Sequence, residues 1–100
     1  MFFWIDRSIE PVHPGEILRD DVFPALEMTK PALAEALGIS RQTLHELFTL
    51  RRGVTPEMAL RFEAVLGSTA ETWLALQAER DLWQARKSPK IKRLKRLKAA

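Results

Sequence analysis

The chain has no cysteine among its 100 residues, which excludes disulfides and thiolate metal sites and suits a reducing compartment. Only 4 glycines are present, and none forms the Gly-rich loop that cradles a nucleotide phosphate. Histidine occurs twice, as His13 and His45, far apart in sequence, and no paired acids mark a cleft. An enzyme, a metal site and a cofactor are therefore not expected. No stretch approaches the roughly 20 apolar residues that a membrane span requires. The opening MFFWIDRS is apolar for only its first residues and lacks a leading basic region, so no signal peptide is read there. Also missing are period-2 runs of β-branched residues and any Asn-Gly or Asp-Gly hairpin signal. These absences leave a soluble, cytoplasmic, all-α protein as the expectation.

What is present supports that class. An apolar fraction of 46% is ordinary for a globular chain and sufficient for a core. The net charge of +3 is unevenly placed: residues 86–100 (RKSPKIKRLKRLKAA) carry eight Lys or Arg and no acid, while residues 1–85 set eight basic residues against thirteen acids. The high pI therefore belongs to the tail, and the body is acidic at −5. Helix start and stop signals recur along the body. HPGEILRDDVF opens with Pro14 and is expected to end at Pro24. Thr29 caps KPALAEAL and Gly38 stops it; Ser40 caps RQTLHELF; Thr55 and Pro56 open PEMALRFEAVL and Gly67 closes it. Ser68 and Glu71 stand at capping-box spacing before AETWLALQAERDLWQARK. The expected organisation is an N-terminal extension over 1–12, a five-helix domain over 13–88, and a basic tail over 89–100 whose order the sequence leaves open.

The stretch LAEALGISRQTLHELF is the most informative. Leu33, Ala34 and Leu37 share one face of the first helix, Ile39 lies in the turn, and Leu44, Leu47 and Phe48 share one face of the second. They can bury one another only if the helices cross steeply, which a short turn containing glycine permits. Arg41, Gln42, His45 and Glu46 then remain along the outer edge of the second helix. A helix held along one side, with long polar side chains on the other, fits a DNA major groove.

Residues 30–48 resemble the helix-turn-helix of the Cro/C1-type (XRE) DNA-binding domains, in Ala34, Gly38, Ile39, Ser40, Leu44 and Leu47. With the flanks HPGEILRDDV, TPEMALR and ETWLALQAERDLW included, residues 13–85 resemble the HigA-type (also called VapI) antitoxins. The resemblance implies a compact five-helix lambda-repressor-like DNA-binding domain with a helix-turn-helix, plus a basic C-terminal tail. It also implies a homodimer that represses its own operon and neutralises a HigB-like, mRNA-cleaving toxin. A stand-alone repressor without a toxin and a protein-binding adaptor that has lost DNA contact are the alternatives.

On that footing Arg41 and Gln42 are the expected base readers. Arginine can grip guanine O6 and N7 and glutamine adenine N6 and N7, each good pair giving ~1–3 kcal/mol of discrimination. His45, one turn on, reaches a base or a phosphate. Glu46 can accept from cytosine N4 but is repelled by phosphate, which favours a surface or intramolecular partner. Lys30, Ser40, Thr43, Thr49, Arg51 and Arg52 are the expected phosphate contacts, which set register without reading sequence. On the last helix, Trp73, Leu76 and Trp83 form a stripe that Leu74, Ala78 and Leu82 widen. It is broad for so short a chain, so Leu82 and Trp83 are assigned to a dimer interface. A two-fold dimer would space its recognition helices one DNA turn apart, ~34 Å, on a palindromic operator. In the tail, Ile91, Leu94 and Leu97 are too few among the cations for a membrane helix, and a phosphate-seeking arm is the reading adopted. Removing residues 89–100 is expected to weaken binding to all duplexes alike and to flatten its salt dependence in titrations at several ionic strengths. A change in sequence preference instead would make the tail a reader.

Overall fold

The computed structural model describes residues 9–98, so most of the N-terminal extension and the last two residues of the tail lie outside it. The described residues form six helices joined by short loops, with no strand. Helix α1 is one continuous rod in three segments, Pro14–Ile17, Leu18–Val22 and Phe23–Leu26, the middle one π-helical. There the Phe23 N–H donates to the Leu18 carbonyl, five residues back. The π turn explains a difference from the sequence reading, which ended this helix at Pro24. A proline ring normally strikes the carbonyl four residues earlier, and a wider turn just upstream gives it room. The rod continues to Leu26 and stops where Glu27 adopts a left-handed backbone, φ 53°.

Helices α2 (Lys30–Leu37), α3 (Arg41–Phe48) and α4 (Pro56–Leu66) begin where the caps were read: Thr29, Ser40 and Thr55 oxygens accept the N–H of Ala32, Thr43 and Met58. Gly38 and Gly67, at φ 71° and 87°, end α2 and α4 in the left-handed region that favours glycine. Helix α5 (Ala70–Ala85) departs from expectation at its start. Its cap is Thr69, which accepts from the Thr72 N–H, while Ser68 accepts from Trp73 Nε1 at 2.7 Å. Burying an indole requires a partner for its N–H, and Ser68 supplies it. In the tail, Ser88-Pro89 starts a helical turn, α6 (Pro89–Lys92).

The core gathers one face from each of α1 to α5. Leu18, Leu33, Leu37, Leu44, Leu47 and Phe62 are almost wholly buried, and Trp73 meets Phe62 edge to face with centroids 4.8 Å apart. Each leucine removed from water contributes about 2 kcal/mol. Ala34, also buried, is the small residue at the α2–α3 crossing. Among the glycines the closest approach is at Gly15, between α1 and α3, where a Cβ would overlap the Leu47 carbonyl oxygen and press on Leu50. The residue before the rod is engaged as well. His13, only 6% exposed, accepts the Gly15 N–H at Nδ1 over 2.9 Å. Burial, then the nearby Arg80 charge, hold its pKa below the ordinary 6.5.

Two consequences can be measured. Gly15→Ala is expected to lower stability by about 2 kcal/mol, roughly 10 °C in Tm, because backbone rather than a flexible side chain must yield; an unchanged melting curve would mean that α1 and α3 are not in backbone contact. His13 favours its neutral form when folded, so its contribution is complete above its unfolded pKa and is lost as pH falls through the lowered folded value. Denaturant melts are expected to show stability falling below pH 6.5, and less steeply in His13→Asn, which caps without titrating. An identical slope in both would place the pH dependence elsewhere.

Candidate nucleic-acid interface

Helix α3 turns Leu44, Leu47 and Phe48 inward and leaves Arg41, Gln42 and His45 exposed. Its two ends are fixed by arginines from outside the motif. Arg61, on α4, donates from Nη1 to the carbonyls of Leu37 and Gly38 at 3.0 and 3.1 Å, clamping the turn that leads into α3. Arg19, on α1, donates from Nη1 to the Phe48 carbonyl at 2.9 Å, at the far end. Each cation sits at the negative end of a helix, where dipole and free carbonyls favour it. The exposed edge of α3 is thus positioned by groups that never approach it.

The loop after α3 is equally constrained. The Arg51 N–H donates to the Glu46 carbonyl at 2.9 Å, a six-residue closure that requires a left-handed residue between them. Leu50 fills that role at φ 62°, a strain of about 1 kcal/mol for a side chain other than glycine. Its side chain packs beside Gly15. Further on, the buried Gln77 of α5 accepts the Val54 N–H at Oε1 over 2.8 Å, donates to Asp81 at 2.9 Å, and faces Gly53. Gln77, Arg19 and Arg61 hold the interface in place, and the sequence reading assigned a role to none of them. A polar residue within the apolar stripe of α5 is the one signal that pointed to Gln77; nothing marked the arginines.

The expected phosphate contacts divide by what their donors are already doing. Lys30 and Arg51 are exposed, Lys30 with its Nζ 5.5 Å from the Phe48 ring centroid. Ser40 donates to Thr43 Oγ1 at 2.9 Å, a bond in which the Thr43 hydroxyl acts as acceptor and keeps its own proton to give. Thr49 directs both its N–H and its hydroxyl at the His45 carbonyl and so closes the helix. Arg52 donates twice to Glu46 Oε1, at 2.9 and 2.6 Å, and Gln42 Nε2 donates to Glu46 Oε2 at 3.2 Å. Glu46 therefore has the intramolecular partners its charge suggested, and the Arg52 bond, then that of Gln42, holds its carboxyl below the ordinary range.

Three further arginines among the described residues of the body are also paired: Arg19 with Asp20, Arg61 with Glu57, and Arg80 with Glu10 and Glu16. Among the described residues before 86, the cations outside any ion pair are Lys30, Arg41 and Arg51, all at the motif. On the residues assigned to a dimer interface, Leu82 is 48% exposed. The Trp83 ring is half-buried and faced by Lys87 Nζ at 3.5 Å from its centroid and by Arg80 at 5.7 Å.

Comparison with known proteins follows the same lines. The profile of the helix-turn-helix family matches residues 25–74. Antitoxin HigA-1 of Vibrio cholerae is 40% identical over 77 residues, covering 76% of this chain and 71% of its own. Virulence-associated protein I of Dichelobacter nodosus is 37% identical over 79 residues, 79% of this chain and 73% of its own. Among solved structures, antitoxin GraA in complex with its operator superposes with a TM-score of 0.82 at 36% identity, covering 96% of this chain and 100% of that one.

Proposed function

Because the chain belongs to the helix-turn-helix family, among the HigA-type antitoxins, we propose that it is an antitoxin and autorepressor. It binds its own operator as a dimer and neutralises a HigB-like, mRNA-cleaving toxin. The observation that carries the reading is the exposed edge of α3, with Arg41, Gln42 and His45 outward and Lys30 and Arg51, outside any ion pair, beside it. The likeness to GraA over nearly the whole chain, in a structure containing that protein's operator, supports it. The family and fold are those of DNA-binding regulators and not of enzymes.

In this reading Arg41 and Gln42 meet base edges and His45 a base or phosphate, while Lys30, Thr43 and Arg51 hold the backbone with Ser40 orienting Thr43. Arg52 approaches the backbone while keeping its bond to Glu46. Leu82 and Trp83 lie at the dimer seam, and the two copies face successive major grooves of a palindrome. No described helix is long and apolar enough to cross a membrane, and a cytoplasmic location belongs to the proposal.

Footprinting on the promoter tests the DNA half, and co-expression with a small basic protein, which the reading expects to be encoded directly upstream, tests the antitoxin half. Arg41→Ala with Gln42→Ala is expected to abolish the footprint while melting temperature, dimer and co-purification of the basic partner are unchanged. Undiminished protection by the double variant would overturn the DNA half, and failure of the partner to co-purify with the wild-type chain would overturn the antitoxin half.

A further inference from the structure

One acid stands among the expected readers. Glu46 follows Gln42 by four residues, so the two side chains are neighbours on one face of α3. Its carboxylate accepts from Gln42 on one oxygen and from Arg52 on the other. An acid on a surface that meets phosphate is unfavourable unless it does something there. We infer that Glu46 is a specificity-determining positioning residue, which fixes the way the Gln42 amide faces and thereby the base that Gln42 accepts. The inference rests on α3 being the DNA-reading helix.

A glutamine amide is nearly symmetric in shape and opposite in function at its two ends: the oxygen only accepts and the nitrogen only donates. To match adenine, Oε1 must meet the N6 amino group while an N–H meets N7. Turned over, the same arm presents N–H groups to the 6-position and suits a 6-oxo group instead. Side-chain length does not choose between the two; a neighbour must. An ionised carboxylate has no proton to give, so only the nitrogen end of Gln42 can face Glu46. That bond uses one of the two Nε2 protons. The other remains beside Oε1, and together they form the fork that fits adenine.

Arg52 has two effects in this arrangement. Its bonds keep the Glu46 carboxyl ionised, hence acceptor-only, and its charge offsets the acid where phosphates approach. Gln42, Glu46 and Arg52 thus form a relay from loop to reading edge. A surface ion pair alone would add little and would not concern base choice.

Site selection from a random duplex pool tests this with the full chain in four forms: wild type, Gln42→Ala, Glu46→Ala and Glu46→Gln. The position that loses its preference in Gln42→Ala identifies the pair read by Gln42, where wild type is expected to favour adenine by about fivefold or more. In Glu46→Ala the adenine preference at that same pair is expected to fall to near none, although affinity for mixed duplex rises because an acid has left the surface. Glu46→Gln, which keeps size but can donate or accept, is expected to relax the same pair. A change in folding would weaken all positions together and would not single out one. Retention of the adenine preference in Glu46→Ala overturns the inference, as does loss of a cytosine at a different pair, which would make Glu46 a reader itself. If Gln42→Ala changes no position, the inference fails while DNA reading by the domain stands; if wild type enriches no site, the reading of α3 fails first.

Discussion

Helix α3 is eight residues long, and a helix that short is unstable alone in water, because nucleation fixes several dihedrals for a single hydrogen bond. A protruding reading element therefore has to be stabilised wholly from one side and from its ends. The structure meets that constraint with complementary contacts. Leu44 and Leu47 are sunk into the core, Ser40 caps the first turn, and Arg19 and Arg61 occupy the carbonyl ends of α3 and of the helix before it. Gly15 lets the α1 backbone lie directly against the last turn. The outer edge then needs no internal partner to keep α3 folded, and its polar side chains are free to be chosen for what they contact. Most of the domain can be understood as the support for one exposed edge.

The strained and unusual backbone sits where this support is tightest. Leu50 takes a left-handed conformation in which glycine or asparagine would be easier, and its side chain lies against Gly15. A glycine at 50 would relieve the backbone but lose that contact at the loop that carries Arg51 and Arg52. The π turn in α1 has a comparable logic. It accommodates Pro24 and lets the rod run on to Leu26, keeping Phe23 edge to face with Phe48 at 5.3 Å. In both places a locally less favourable conformation is held by packing on α3 or directly behind it.

Much of this was legible in the sequence, and the rest divides by physical cause. Caps and glycine stops depend on the backbone chemistry of single residues, so Thr29, Gly38, Ser40, Thr55 and Gly67 were readable by position. The α3 edge followed from the 3.6-residue period, which places Leu44, Leu47 and Phe48 together and leaves Arg41, Gln42 and His45 opposite. What could not be read involves partners distant in sequence: Arg19 reaches Phe48 across 29 residues, Arg61 reaches Leu37 across 24, and Gln77 reaches Val54 across 23. Nothing in a run of exposed-looking arginines says which will cap a helix and which will meet a ligand. Ser68 was misread for a related reason. It had the right spacing for a cap, but a buried indole N–H had the stronger need, and Thr69 next to it could cap equally well.

Charge pairing then gives the acidic body a direction. Surface ion pairs add little stability, and their more important effect here is on the sign of the field. With Arg19, Arg52, Arg61 and Arg80 each beside an acid, four cations of the body contribute little net potential at a distance. Among the described residues, the cations left outside ion pairs are Lys30, Arg41 and Arg51 around α3 and those of the basic tail. One small domain can then attract a polyanion at one edge and, in the proposed antitoxin role, a basic partner over the rest, each steered by a field of the appropriate sign. Had the same residues been paired at random, the net charge would be identical and neither surface would be favoured.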